Sequence, residues 1–136
     1  MTTYRLALPY QRPPSALTGN TRVHWRTRSA QVSEVRNAVK VLATAAKIPP
    51  APHLTVELVW APGDRRRRDA DNLWPLLKTA CDALARGRKD WVGLELVPDD
   101  TPAYMEKKAP RIASPDECAE RGMWLYVTTN DEAEVA

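Results

Sequence analysis

Cysteine is scarce in this chain. Cys81 and Cys118 are the only two, and they form no metal-ligand spacing with each other or with the two histidines, His24 and His53. Two thiols do not make a disulfide framework, so both are expected to be reduced, one of them in the core. Long apolar runs are also missing. No stretch approaches the roughly 18 consecutive apolar residues of a membrane helix, and the expectation is a protein with no membrane partner. The opening residues, MTTYRLALPY, lack a basic segment followed by an apolar stretch and a small-residue cleavage site. They do not read as a signal peptide, and a cytoplasmic location is expected. Internal repeats are absent as well.

The 136 residues, 15.3 kDa in all, fit a single domain with one modest core. That domain is expected over residues 1–129, with 130–136 as an acidic, flexible tail. Hydrophobic residues make up 43% of the chain, enough for a globular fold. Net charge is only +3 but is unevenly spread. Residues 1–111 carry 19 Lys and Arg against 11 Asp and Glu, whereas the last 25 residues carry one against six. A basic body with an acidic end points to a polyanionic partner, of which nucleic acid is the commonest; solubility alone also accounts for basic surfaces.

Hydrophobic periodicity gives four strands and two helices. TYRLALP (3–9) alternates Tyr4, Leu6 and Leu8, and LTVELVW (54–60) alternates Leu54, Val56, Leu58 and Trp60. AYMEKKA (103–109) reads as an edge strand whose lysines discourage unwanted pairing, and MWLYVTT (123–129) as a strong strand. Val32, Val35, Val39, Leu42 and Ala46 recur at helical steps, predicting a helix from about Ser29 to Lys47, stopped by Pro49-Pro50. Leu73, Leu76, Leu77, Ala80 and Leu84 form the stripe of a second helix ending at Gly87, with Pro75 in its first turn and Asn72 as the cap. The order of elements predicts a mixed α/β domain of the α+β kind: a small mixed sheet of about four strands, with two main helices covering a face.

Between Pro9 and Ser29 the segment PYQRPPSALTGNTRVHWRTRS has no periodicity and is long for a loop in a compact domain. Its Arg12, Arg22, His24, Arg26 and Arg28 could track a phosphate backbone while Trp25 offers an aromatic face to a base. Equally, Trp25 and Val23 could pin the loop to the core while the arginines solvate it.

The densest charge in the chain is GDRRRRDADNL, residues 63–73. Asp69 and Asp71 are one residue apart, so in an extended segment leaving the strand 54–60 their side chains point the same way and can converge on one cation. Hard divalent ions such as Mg²⁺ take oxygen ligands and are commonly held by one or two carboxylates, with water and substrate phosphate completing the shell. Arg65, Arg66, Arg67 and Arg68 would offset the repulsion between the carboxylates and attract a nucleic-acid backbone. A second acidic pair, Asp99-Asp100, precedes the strand 103–109 and offers a third ligand. Lys78 lies seven residues after Asp71, nearly the same helical face, where an ammonium could stabilise developing charge on a phosphoryl group. Plainer readings exist for each piece: a capped helix start for DAD, a Pro-flanked turn for DD, and a salt bridge from Lys78 to Asp82.

Taken together, RRRRDADNL, then KTACDAL, then PDD before a strand resemble the RusA family of Holliday junction resolvases. A strand ending in LP, followed by PPS and a basic loop leading into a helix, is similar to that family's N-terminal half. The resemblance covers about residues 3–109, and the arginine-DxDNL motif is its specific part.

The resemblance implies a homodimeric, Mg²⁺-dependent endonuclease, with Mn²⁺ as a substitute, that cuts four-way DNA junctions in phage or prophage recombination. It implies metal binding by Asp69, Asp71 and Asp100, with Asp99 able to share the third position. The family's catalytic lysine is where the sequence departs from the pattern. Counting forward from DNL the position falls on Pro75, whereas counting backward from DAL (82–84) it falls on Lys78, which implies about three extra residues at the helix start. Lys78 is therefore the expected catalytic lysine, and Trp74 is placed next to the metal site.

Overall fold

The computed structural model describes residues 1–19 and 22–131. Two long strands, β2 (His53–Ala61) and β7 (Gly122–Asn130), pair antiparallel over their whole length and form the spine of the sheet. β1 (Thr2–Leu8) adds antiparallel to the other side of β7. On the far side of β2 run two short parallel partners, β5 (Met105–Lys107) and β6 (Arg111–Ile112). The result is a five-stranded mixed sheet ordered β1-β7-β2-β5, with β6 also on β2. A two-stranded hairpin of β3 (Gly87–Arg88) and β4 (Trp91–Val92) lies outside it.

Register explains where the core sits. Leu6 and Leu58 both face Leu125 across their ladders, Val56 faces Val127, and Leu8 and Trp60 face Met123, so one face of the sheet is lined by apolar side chains. Two helices cover that face. α1 (Trp25–Ala45) contributes Val35, Val39 and Ala43, and α2 (Trp74–Leu84) contributes Leu76, Leu77, Ala80 and Leu84, all buried. The opposite face carries a smaller cluster of Val59, Ala61, Ala113 and Trp124. Both cysteines are free; Cys81 is buried in α2, and burial pushes its thiol up to about 12.

The mixed architecture agrees with the sequence expectation, and the boundaries differ for identifiable reasons. α1 begins a turn earlier than Ser29, because His24 caps it: its Nδ1 accepts a hydrogen bond from the Arg26 N–H at 3.2 Å. It ends before the proline pair, in a Schellman arrangement. Lys47 adopts φ 58°, its N–H bonds to Thr44 O, and the Ile48 N–H returns to Ala43 O. The edge strand predicted over 103–109 shrinks to three residues. A turn closed by Tyr104 and Met105 on Thr101 O delays its start, and Pro110, which has no N–H to give, separates β5 from β6. α2 stops at Leu84 rather than at Gly87. The segment that follows, Leu94–Leu96, donates its N–H groups to the carbonyls of Ala83, Ala85 and Leu84, which satisfies the helix end.

The long N-terminal segment is not pinned by Trp25. Trp25 is 67% exposed, and the anchors are Ala16 and Leu17, which are fully buried in a 3₁₀ turn. Gln31 and Arg28 fix that turn from α1: Gln31 Oε1 accepts from Ala16 N–H at 2.7 Å, and Arg28 donates to Ala16 O at 3.0 Å. Most of the tail expected at 130–136 lies outside the described residues; Asn130 itself is the last residue of β7. Among the described residues, no helix is long and apolar enough to cross a membrane.

Candidate functional site

The chain leaves β2 at Ala61, passes through the arginine run and enters α2 by way of a 3₁₀ turn, Ala70–Leu73. Asp69 is the cap of that turn: its Oδ1 accepts a hydrogen bond from the Asp71 N–H at 3.0 Å. Asp71 therefore sits inside the turn and not in an extended segment, so strand alternation is not what relates the two carboxylates. Asn72 is not the cap. α2 follows the turn directly, with Leu73 at its N-cap making no side-chain hydrogen bond and Pro75 in its first turn, as expected.

Lys78 lies on the exposed side of α2, and the fold brings the second acidic pair to it. Its Nζ donates to Asp100 Oδ2 at 2.5 Å and to Asp82 Oδ1 at 2.7 Å. Lys107, at the end of β5, donates to the same Asp100 oxygen at 2.8 Å. One carboxylate thus joins α2, the 97–101 loop and the sheet edge. Asp99 contributes one oxygen to the turn itself, accepting from the Asp100 N–H at 2.8 Å. The side chain of Asp100 is 18% exposed. Burial by itself pushes its pKa up, but hydrogen bonds and charge from Lys107 and Lys78 outweigh that and hold it well below the usual carboxylate range. Burial likewise works against a charged Lys78, and its bonds to Asp100 and Asp82 win, raising its pKa. At neutral pH the group is an ammonium, a stabiliser of negative charge and not a base.

Beside Lys78 opens a cleft of about 270 Å³ whose walls include Arg36, Asp82, Arg88, Trp91 and Asp99. Arg36 stacks over the Trp91 ring, 3.9 Å from its centroid, and lies 3.8 Å from Asp82. Asp82 is thereby held between two cations and orients Lys78. The sequence named Asp82 only as the partner in a helical salt bridge and took Lys107 for a guard of the sheet edge. Arg36, Arg88 and Trp91 carried no signal, because only the fold of the β3-β4 hairpin onto α1 brings them to Lys78.

The arginine run is divided by its surroundings. Arg65 pairs with Asp116 at 2.8 Å, and Arg68 makes a two-pronged contact with Asp64 at 2.5 and 3.0 Å while lying over Trp60. Arg66 and Arg67 are exposed. In the N-terminal segment, His24 stacks on Trp25 and Arg26 lies over the same ring, 5.4 Å from its centroid, forming an exposed cationic and aromatic patch. Arg22 is exposed, whereas Arg28 is spent on Ala16.

The donor set is carboxylate oxygen throughout, which suits Mg²⁺ or Mn²⁺. Among the described residues no group of three or more carboxylate, imidazole or thiol side chains is placed to hold a metal ion, so Asp69, Asp71 and Asp100 do not form a three-ligand cluster, and neither Asp69 nor Asp71 lines the cleft beside Lys78. Asp69 and Asp71 form no ion pair among the described residues, and Asp100 Oδ1 takes neither lysine bond, leaving oxygens for an ion that keeps water and phosphate in its shell. No protein-family model and no curated protein sequence matches the chain.

Proposed function

We propose that the protein is a Mg²⁺-dependent endonuclease that cuts branched DNA, in the manner of the RusA-type junction resolvases its motifs resemble. The observation that carries this reading is the contact between Lys78 and Asp100. Residues from two motifs 22 positions apart, each with a plainer explanation when taken alone, meet in one cluster beside a cleft open to solvent. The contact also supports Lys78 over Pro75 as the working lysine, since the ring of Pro75 has no polar group to offer.

In this reading Asp69, Asp71 and Asp100 hold the metal, with Asp99 beside them. When bound, the ion supplies a water of lowered pKa and positive charge for the attacking and leaving oxygens. Lys78, fixed by Asp82 and Asp100, holds its ammonium where negative charge develops on the scissile phosphate. Lys107 keeps Asp100 ionised. The exposed arginines of the run, with Arg22, His24 and Arg26, supply affinity without reading sequence. A four-way junction has approximate two-fold symmetry, so paired cuts need two sites related by a dyad, which a homodimer supplies.

The two lysines on Asp100, and the absence among the described residues of any three acidic, imidazole or thiol groups placed to hold a metal ion, also favour a second reading, a DNA-structure binding protein that does not cut. One experiment separates the two. Labelled four-way junction, flap, fork, linear duplex and RNA are incubated with the protein in Mg²⁺ or in EDTA, alongside Asp71→Asn. Symmetric nicks in the junction that need both metal and Asp71 are expected. Junction binding that survives EDTA with no cut in Mg²⁺ would establish the second reading, and preferential cutting of flap, fork or RNA would reassign the substrate.

A further inference from the structure

At the far end of β2 lies a second cleft, of about 480 Å³, that shares no lining residue with the one beside Lys78. Its walls carry four guanidiniums, those of Arg12, Arg66, Arg68 and Arg121, against a single carboxylate, Asp64. Arg68 neutralises that carboxylate with its two-pronged contact. Three cations are left. They come from three separate segments of the chain, and the structure is built to hold them. Trp60 Nε1 donates to Gln11 O at 3.0 Å, tying the segment that bears Arg12 to the end of β2. Arg121 donates its Nε to Pro62 O at 3.1 Å, leaving both terminal nitrogens free of that bond. Gly63, at φ 85°, makes room for it: a Cβ there would stand 2.4 Å from Arg121 Cγ.

We infer that this cleft binds the phosphodiester backbone of a nucleic-acid arm, at a distance from the Lys78–Asp100 cluster; the inference rests on the reading that the chain acts on nucleic acid. A single oxyanion is satisfied by one or two guanidinium forks. Three uncompensated guanidiniums along one cleft fit an anion that repeats. Trp60 lies four residues beyond Val56, the register partner of Lys107, about 13 Å along the strand at the usual rise. That separation corresponds to about four nucleotide steps of one strand. The cleft would therefore grip an arm several nucleotides from the bond held beside Lys78.

The test is equilibrium binding of a fluorescein-labelled four-way junction in EDTA over a series of NaCl concentrations. Wild type is compared with Arg12→Gln, Arg121→Lys, the double variant Arg12→Gln/Arg121→Gln, and Arg86→Gln as a control outside both clefts; cutting in Mg²⁺ is followed in parallel. Each neutralised phosphate contact lowers the slope of log K against log salt by about 1. Arg12→Gln is expected to lower it by about 1 and the double variant by about 2. Arg121→Lys should keep the slope and lose affinity through the lost fork, and the control should match wild type. Thermal unfolding verifies the fold of each variant, and Arg12→Gln alone decides the matter if substitution at Arg121 unfolds the chain. A wild-type slope in Arg12→Gln or in a folded double variant overturns the inference even if junctions are cut. A lowered slope without any cutting sustains the cleft and sinks the nuclease. No binding of DNA by wild type overturns both.

Discussion

Asp100 is the residue on which the account turns, because three elements meet at one of its oxygens. Its pKa is held below the unfolded value of about 3.9, so the folded state binds its proton more weakly than the unfolded chain does. The sign follows: the stabilisation is complete well above pH 4 and is lost as pH falls from there through the folded value. Asp100→Asn should lower stability at pH 7 by about 2 kcal/mol, since it leaves the Lys107 ammonium without its counterion and Lys78 with Asp82 alone. Urea unfolding in EDTA should show the gap between wild type and variant narrowing below about pH 4; a gap that does not change with pH would mean that the lysines contribute nothing there. The sequence exposed Asp100 as half of an acidic pair and Lys78 as a helical neighbour of Asp71. It could not expose Lys107, because the identity of a lysine on an edge strand does not reveal which carboxylate the next loop will bring to it.

At the scale of elements, the 3₁₀ turn into α2 gives Asp69 two possible uses, and substitution separates them. Asn caps as well as Asp does, whereas Ala does not. Asp69→Asn should therefore unfold at the wild-type temperature and lose cutting activity, while Asp69→Ala should lose about 1 kcal/mol as well. Wild-type cutting by Asp69→Asn would reduce Asp69 to a cap. The turn that leaves β2 is tested by Gly63→Ala, which forces a side chain into the left-handed region and against Arg121. A loss of about 1–2 kcal/mol is expected in chemical denaturation; an unchanged midpoint would show that the turn relaxes freely. The helices and long strands were legible because their apolar residues recur at periods of 3.6 and 2. Their ends were less so, since His24, Asp69 and Lys47 act there through single backbone hydrogen bonds that no periodicity records.

For the whole molecule, the mixed α+β class followed from the order of the elements. The sheet order β1-β7-β2-β5 did not, because β7, last in the chain, inserts between the first two strands through pairings with no local signature. Lys78 and Asp100, 22 residues apart, and Arg12 and Arg121, which line one cleft, are likewise brought together only by the fold. If the molecule resolves junctions with paired cuts, it works as a dimer, and sedimentation should give about twice the 15.3 kDa of one chain at working concentration; a monomer that still cuts both strands symmetrically would contradict that requirement. The most direct measurement of the central claim is single-turnover cutting of a four-way junction in Mg²⁺ by wild type and by Lys78→Met, with junction binding followed in EDTA. Lys78→Met is expected to cut at a rate lowered by at least about 100-fold, with binding within a few-fold of wild type. Cutting by Lys78→Met at the wild-type rate would contradict it and return Lys78 to an ordinary salt bridge.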